Sequence, residues 1–397
     1  MPEPKHKAPA LILGAGVNGL GVLRSLARCG APVVVADSDP HQPGMRSRYG
    51  RKLVLRASSG ERLVDDLVAF ARKRGIRPFL FLTEEAGVRT VSAARERLAE
   101  HYELDLAAAP LLDALMDKAS FQQLAEQHGF LVPRSLVIGG RNTLLEAESF
   151  PYPAILKPAR KDADYARAFD KAYRVESFDE LRTLCARIRP VMPDLILQQW
   201  IDGGDADIYF CLQYINVDGT AVASFTGRKI RSWPPQVGGT ASCTAAPEHA
   251  TALGAETGRF FATVGYTGMG SIEFKRNPGD ERFYMIEPTV ARTDYQEEVA
   301  TLNGINIPLA AYCKRAGLAQ PQPGEAPHYV VWRESATDRW SAQAQRQPRR
   351  RCGRTVDALW RWYDPAPGLA QLARRVRRAS RRRLVWRRQA RPAEGGL

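Results

Sequence analysis

The sequence is short of several things, and each shortage removes a class of protein. No run of about 18 apolar residues occurs, so no segment is expected to cross a membrane as a helix. The first residues carry charge at Glu3, Lys5 and Lys7 and lack the apolar stretch of a signal peptide. The six cysteines (Cys29, Cys185, Cys211, Cys243, Cys313, Cys352) are scattered without a CxxC pair, which argues against a zinc ribbon and a disulfide framework. The cytoplasm is the expected compartment. Histidine is sparse, at six. Of these, His128 and His249 fall near predicted helix ends and read as structural. No internal repeat is visible.

Charge is present but uneven. The net charge is +14 over 397 residues, enough chain for two or three domains. Residues 341–397 hold sixteen arginines, no lysine and three acids (Asp357, Asp364, Glu394), a net of +13. The remaining 340 residues are therefore almost neutral and contain no recognisable nucleic-acid-reading module.

The hydrophobic pattern divides the chain. Residues 10–14 and 33–37 read as buried strands, and a helix at 61–74 leads to a strand at 79–83 and a further helix at about 85–100. Strand–helix alternation predicts a doubly wound parallel sheet over residues 1–112. From Asp117 the pattern is α+β: a helix ending at Gly129, strands at 135–138, 153–158 and 172–176, and a helix at 178–189. Strands at 194–200, 207–216 and 221–229, a helix at 247–264, and strands at 268–276 and 282–289 complete it, with mostly antiparallel pairing expected.

Gly14-Ala15-Gly16-Val17-Asn18-Gly19 fits GxGxxG between a strand and a helix, with Asp37 ending the next strand. The glycines either admit a phosphate to a helix N-terminus or only allow a tight turn and close packing.

In GMGSIEFKRNPGDERFYMIEPT a five-residue loop from Pro278 to Arg282 would pair Asn277 with Phe283 and set Glu273 opposite Glu287. Alternation turns both carboxylates away from Ile272, Phe274, Tyr284 and Ile286. Opposed like charges repel unless a proton or cation sits between them, and two carboxylates suit Mg²⁺ completed by phosphate and water. The alternative is a solvated hairpin face. Lys118, at a helix start, and Lys157, in AILKPA, are point charges suited to phosphate, or else a surface lysine and an edge-strand gatekeeper. The apolar strand 195–201 is followed by DGGDAD (202–207), which fits an adenine edge and ribose hydroxyls or an ordinary turn. RKIRSWPPQVGGTAS (228–242) reads as a basic strand and Gly-rich segment, either covering phosphates with N–H groups or forming a mobile loop.

In this order the pieces resemble the ATP-grasp superfamily, in particular its carboxylate–amine ligase branch, over about residues 10–316. The resemblance implies a Rossmann-like pre-ATP-grasp domain (1–112), a two-lobed ATP-grasp domain (113–318, small lobe about 120–190) and an Arg-rich extension (319–397). It implies ATP and Mg²⁺, with Mn²⁺ as a substitute, and small carboxylate and amine substrates. Lys118 and Lys157 would contact phosphates; Gln198, Gln199, Trp200 and Ile201 would line the adenine; Asp205 or Asp207 would take the ribose. Gly238 and Gly239 would cover the triphosphate, Glu273, Glu287 and Thr289 would stand at the metal, and Arg292 would orient the acceptor or acyl phosphate. Two departures stand out, Thr289 in place of the usual metal-binding Asn and Arg292 about one position late, and they motivate the alternative of a non-catalytic ATP-binding module. Gln199 also replaces a common hinge glutamate. The first domain in this superfamily usually helps bind substrate, which weighs against a nicotinamide cofactor at the glycine turn.

Residues 356–364 and 368–388 read as helical, with Leu369, Leu372, Val376 and Leu384 near one stripe among arginines. Such a tail suits an anionic membrane surface or an acidic partner, with no specific nucleic acid implied. The alternatives are a solvated tail or a helix docked through Trp360, Trp362 and Tyr363. A homodimer is the default assembly.

Overall fold

The computed structural model describes residues 8–139, 141–159, 163–324, 329–346 and 353–374. The first sheet is parallel, in the order β3-β2-β1-β4: β1 Ala10–Leu13, β2 Val33–Asp37, β3 Arg51–Val54 and β4 Phe79–Leu82. ALIL and VVVAD are buried along their whole lengths, as strands covered on both faces must be. The order reverses direction at β1 and β4, so the crevice beyond their carboxyl ends is the natural ligand edge of this sheet.

A four-stranded antiparallel sheet follows, in the order β5-β8-β6-β7: β5 Ser135–Ile138, β6 Ala154–Pro158, β7 Tyr173–Val175 and β8 Leu195–Gln199. The third sheet has seven strands: β9 Ile208–Ile215, β10 Ala221–Trp233, β11 Gly239–Ala245, β12 Gly268–Arg276, β13 Phe283–Val290, β14 Val331–Arg333 and β15 Thr355–Asp357. Their order is β13-β12-β9-β10-β11-β14-β15, antiparallel except for the last pair. This large sheet thus takes two strands from the segment expected to be an extension.

The cores show which parts are packed together. Two clusters join the first sheet to the large one. Leu11, Leu13 and Leu80 share a core with Ile272, Phe274 and Met285; Ile12 and Phe81 share another with Phe210, Tyr214 and Trp332. The four-stranded sheet has its own core of Ile138, Leu156, Leu181, Cys185, Leu195 and Leu197. The helix Lys118–Gln127 packs Phe121 against Phe260 and belongs to the larger body.

Residues 356–364 are not helical. The Asp357 carboxylate accepts the N–H groups of Leu359 and Trp360 (both 2.9 Å), a local turn that competes with helix formation. The segment is then clamped to the first domain. Arg24 and Asp364, both buried, pair at 3.0 Å. Arg24 also donates to the carbonyls of Ala358 (2.8 Å) and Leu359 (2.9 Å). Ser47 Oγ and Arg48 N–H donate to the same Asp364 carboxylate. Arg361 pairs with buried Glu298 at 2.7 Å. Residues 366–374 are helical, and the rest of the predicted basic helix, 375–388, lies outside the described residues. Among the described residues no helix is long and apolar enough to cross a membrane.

Candidate nucleotide and metal site

A cleft of about 790 Å³ lies between the four-stranded sheet and the β12–β13 edge of the large sheet. One wall is cationic. Lys118 opens its helix behind the N-cap Asp117, whose carboxylate takes the Ser120 N–H (2.9 Å), and its Nζ donates to Pro158 O (3.3 Å). Lys157 projects from β6 and donates to Gln198 Oε1 (2.8 Å). Lys171 lines the same wall. Burial, with Lys118 and Lys171 alongside, pulls the Lys157 ammonium down to about 8 against the opposing pull of Glu287 and Glu273. A buried ammonium crowded by like charge is a site short of an anion.

The slot beside it is apolar and edged by amides. Ile155, Trp200, Ile201, Ile208 and Ile286 line it, with Gln198 and Gln199. Lys275 fastens the hinge turn from below, donating to the carbonyls of Gly203 (2.9 Å) and Gly204 (2.6 Å). Gln236, Val237 and Gly238 roof the cleft, whereas Gly239 lies outside its lining. Gly238 admits no side chain, since a Cβ there would lie 1.9 Å from the Trp233 carbonyl carbon. The roof is moored by Asp205, which accepts from Ser232 N (2.9 Å), Gln236 N (2.7 Å) and Gln345 Nε2 (2.7 Å). Asp205 and Asp207 therefore sit behind the cleft rather than in it; Asp207 accepts the Gly204 N–H at 2.8 Å.

Glu273 and Glu287 are direct cross-strand partners, but not by the predicted route. The hairpin pairs Arg276 with Phe283, one residue off, and a bulge between Glu273 and Phe274 restores the expected opposition. The bulge also changes the faces. Met285 joins Phe274 in the core, while Ile286 faces the cleft beside Glu287. Simple alternation cannot foresee this, because an extra residue inverts the period. Lys229, buried on β10, pairs with Glu273 at 2.7 Å. Burial acts to lower Lys229, but Glu273, Glu287 and Asp294 outweigh it and hold its proton more tightly than usual. Lys229 thus balances the carboxylate pair through Glu273, and both glutamates line the cleft. Among the described residues no group of three or more His, Cys, Asp or Glu could hold a metal alone. Two carboxylates beside a cationic, phosphate-sized space fit a hard divalent cation that brings its remaining ligands with it.

A second cavity, of about 580 Å³, shares Lys118 and Glu287 with the cleft and is completed by Thr289, Arg292, Glu85 and apolar Leu115, Met116 and Phe121. The late arrival of Arg292 is absorbed at Ala291, whose φ of 56° is left-handed and whose N–H donates to Tyr266 Oη (2.7 Å). Arg292 thereby turns back, with Nη2 3.5 Å from Thr289 Oγ1 and Nη1 donating to Thr293 O (3.1 Å).

The glycine turn of the first domain lines neither cavity and packs closely on its own surroundings. Gly14 has φ +94°, and a Cβ on it would lie 2.3 Å from Thr83 Oγ1. A Cβ on Gly19 would lie 2.0 Å from Gly14 O. Both Asp37 oxygens are occupied by backbone N–H groups, of Ala15 (2.7 Å) and Asp39 (2.8 Å). Asn18, at the start of the helix, is tied to Thr83 and Thr293. A ribose would have to displace these bonds, so the dinucleotide alternative loses its acid. His249 is held between the Tyr209 and Phe283 rings, and His128 caps its helix.

A nucleotide-sized cleft gripped between a small antiparallel sheet and the carboxylate-bearing edge of a larger one, behind a parallel α/β domain, is the ATP-grasp fold. No protein-family model matches the chain. The chain is 22% identical over 312 residues to D-aspartate ligase of Enterococcus faecium (strain Aus0004), covering 75% of this chain and 74% of that protein. Among solved structures it is similar to N5-carboxyaminoimidazole synthetase of Staphylococcus aureus complexed with ADP, with a TM-score of 0.64 and 13% identity over 82% of each chain. It is also similar to the biotin carboxylase domain of Hydrogenobacter thermophilus 2-oxoglutarate carboxylase in complex with MgADP, with a TM-score of 0.61 and 14% identity, covering 82% of this chain and 74% of that one.

Sequence reasoning passed over Lys171 and Lys275, and read Lys229 only as part of a basic strand. Lys171 was legible only as a loop lysine. Lys229 and Lys275 sit at inward positions of long strands, where a lysine needs a partner, and that was the available signal.

Proposed function

We propose that this protein is an ATP-dependent ligase that activates a carboxylate as an acyl phosphate and transfers the acyl group to an amine. The observation that carries the reading is one cleft with Lys118, Lys157 and Lys171 on one wall and the Glu273–Glu287 pair on the other. The lysines would neutralise the phosphates, and Trp200 and Ile201 would flank the base. Glu273 and Glu287, with Thr289 nearby, would hold Mg²⁺, or Mn²⁺ in its place, through oxygen ligands alone. Bound there, the cation would supply charge neutralisation at the phosphoryl group that the substrate carboxylate attacks. Arg292 and Lys118, on the shared border of the two cavities, would hold the acid in line with that group. The second cavity would then admit the amine, with the first domain as its far wall. The small lobe, built on its own core, would close over the site and exclude water from the activated acid. The matched D-aspartate ligase makes D-aspartate the first acid to test. The same reading places the chain in the cytoplasm, where Mg-ATP is made.

Calorimetric titration with Mg²⁺ and a non-hydrolysable ATP analogue tests the site. Wild type should bind only with metal present, and the Glu273→Ala/Glu287→Ala double variant should not. Phosphate release that depends on an added acid, starting with D-aspartate, then tests the chemistry. A folded wild type that fails to bind the analogue defeats the proposal.

A further inference from the structure

The clamp on the C-terminal segment holds in place something that water alone would not favour. Trp362 is 85% exposed and Trp360 49%, and they sit on either side of Arg361, which is buried on Glu298. Tyr363 follows, against the Trp362 ring at 5.5 Å. Arg28 lies over the Tyr363 ring at 4.4 Å and donates to its hydroxyl (3.2 Å), and Arg48 Nη1 donates to Tyr363 O (3.4 Å). Trp360 rests on the start of the helical residues 366–374, where a Cβ on Gly368 would meet its ring at 2.7 Å. From that helix Leu369 (50%) and Leu372 (58%), three residues apart and so on one face, are exposed. Four large apolar side chains are thus exposed between Trp360 and Leu372, with Arg28 and Arg48 on the adjoining Tyr363, and this platform is tied to the body by the buried Arg24–Asp364 and Arg361–Glu298 pairs.

We infer that this platform is a docking surface for an anionic lipid bilayer. Charge complementarity favours that occupant. From Pro365 onward the sequence has ten arginines and a single acid, interleaved with Val376, Leu384 and Trp386. Arginine binds phosphate headgroups, tryptophan settles at the boundary between headgroup and acyl chain, and leucine enters the hydrocarbon. A polynucleotide would satisfy the arginines but leave Leu369 and Leu372 without a role. A rigid aromatic platform joined to a polybasic segment also supplies the two signals that stable peripheral attachment needs. The surface is independent of the nucleotide cleft, so the two proposals stand or fall separately.

The test is flotation of the full chain with phosphatidylglycerol-containing vesicles and with phosphatidylcholine vesicles, read together with tryptophan emission. The platform predicts binding to the anionic vesicles only, with a blue shift that is reduced in Trp362→Phe. The Trp360→Ala/Trp362→Ala/Leu369→Ala/Leu372→Ala variant should bind those vesicles about tenfold more weakly. Unchanged circular dichroism and nucleotide titration would show that this variant is folded. Three results would overturn the inference: no vesicle binding; binding undiminished in that variant, which means adhesion by charge alone; or tighter binding to duplex or single-stranded nucleic acid than to anionic vesicles.

Discussion

Lys157 holds the least comfortable charge in the cleft, and its discomfort can be measured. Its proton is released near pH 8 in the free protein, far below the ordinary lysine value. Phosphate bound beside it would restore the proton, so nucleotide affinity should be full below pH 8 and fall as pH rises through it. Calorimetry near pH 8 in two buffers of different ionisation enthalpy should register proton uptake on binding. Lys157→Met should weaken binding by about 2 kcal/mol or more, roughly thirtyfold. The same change should stabilise the free protein by on the order of 1 kcal/mol, because a crowded buried charge is gone. A second residue carries the opposite signature. Glu297 is buried beside Asp294, one of its oxygens has no hydrogen-bond partner, and burial pushes its carboxyl up to about 8. Its folded-state value lies above its unfolded one, so its contribution is fully present below about pH 4.5 and lost as pH rises to about 8. Glu297→Gln should flatten that part of the pH–stability curve, measured by thermal melts across the range, and should raise stability above pH 8.

At the scale of elements, the C-terminal strap is the sharpest case. Arg24→Ala would leave Asp364 buried without its cation and remove the donor from three backbone carbonyls, and a loss of about 3–5 kcal/mol is expected in urea unfolding. If the strap is held mainly by this clamp, trypsin should then cut at Arg361, which is protected in the wild type. None of this could be read from the sequence. Arg24 occupies one position of an amphipathic helix and Asp364 lies 340 residues away, with no period to relate them. Periodic elements were legible: the strands at 135–138 and 268–276 lie where alternation and turn residues put them. The opposition of Glu273 and Glu287 was legible as well, although a bulge supplied what a loop one residue longer than expected took away. The fates of Asp205 and Asp207 were not. An aspartate beside a hinge turn serves a ribose or a backbone N–H equally well, and only the fold decides which is nearer.

For the whole molecule, the division of cores predicts a motion. The first domain and the large sheet share two cores and should move as one body, while residues 135–199 should swing as the other. Addition of Mg²⁺ and the ATP analogue should reduce the radius of gyration in solution scattering. It should also slow hydrogen exchange in the hinge turn and roof, 202–207 and 234–238, while the first sheet stays unchanged. The clamp between Arg24 and Asp364 also bears on how the molecule is made. Strands β14 and β15 and the strap come late in the chain, yet they finish a sheet and cover a helix whose other parts come early. Synthesis runs from Arg24 toward Asp364, 340 residues further on, so the first domain must wait with an unpaired cation in its flank until the strap has been released. Such long-range closure makes for slow final folding and a vulnerable interval before it. Closing the clamp would also set the aromatic platform in place, so only molecules with the strap docked would present it.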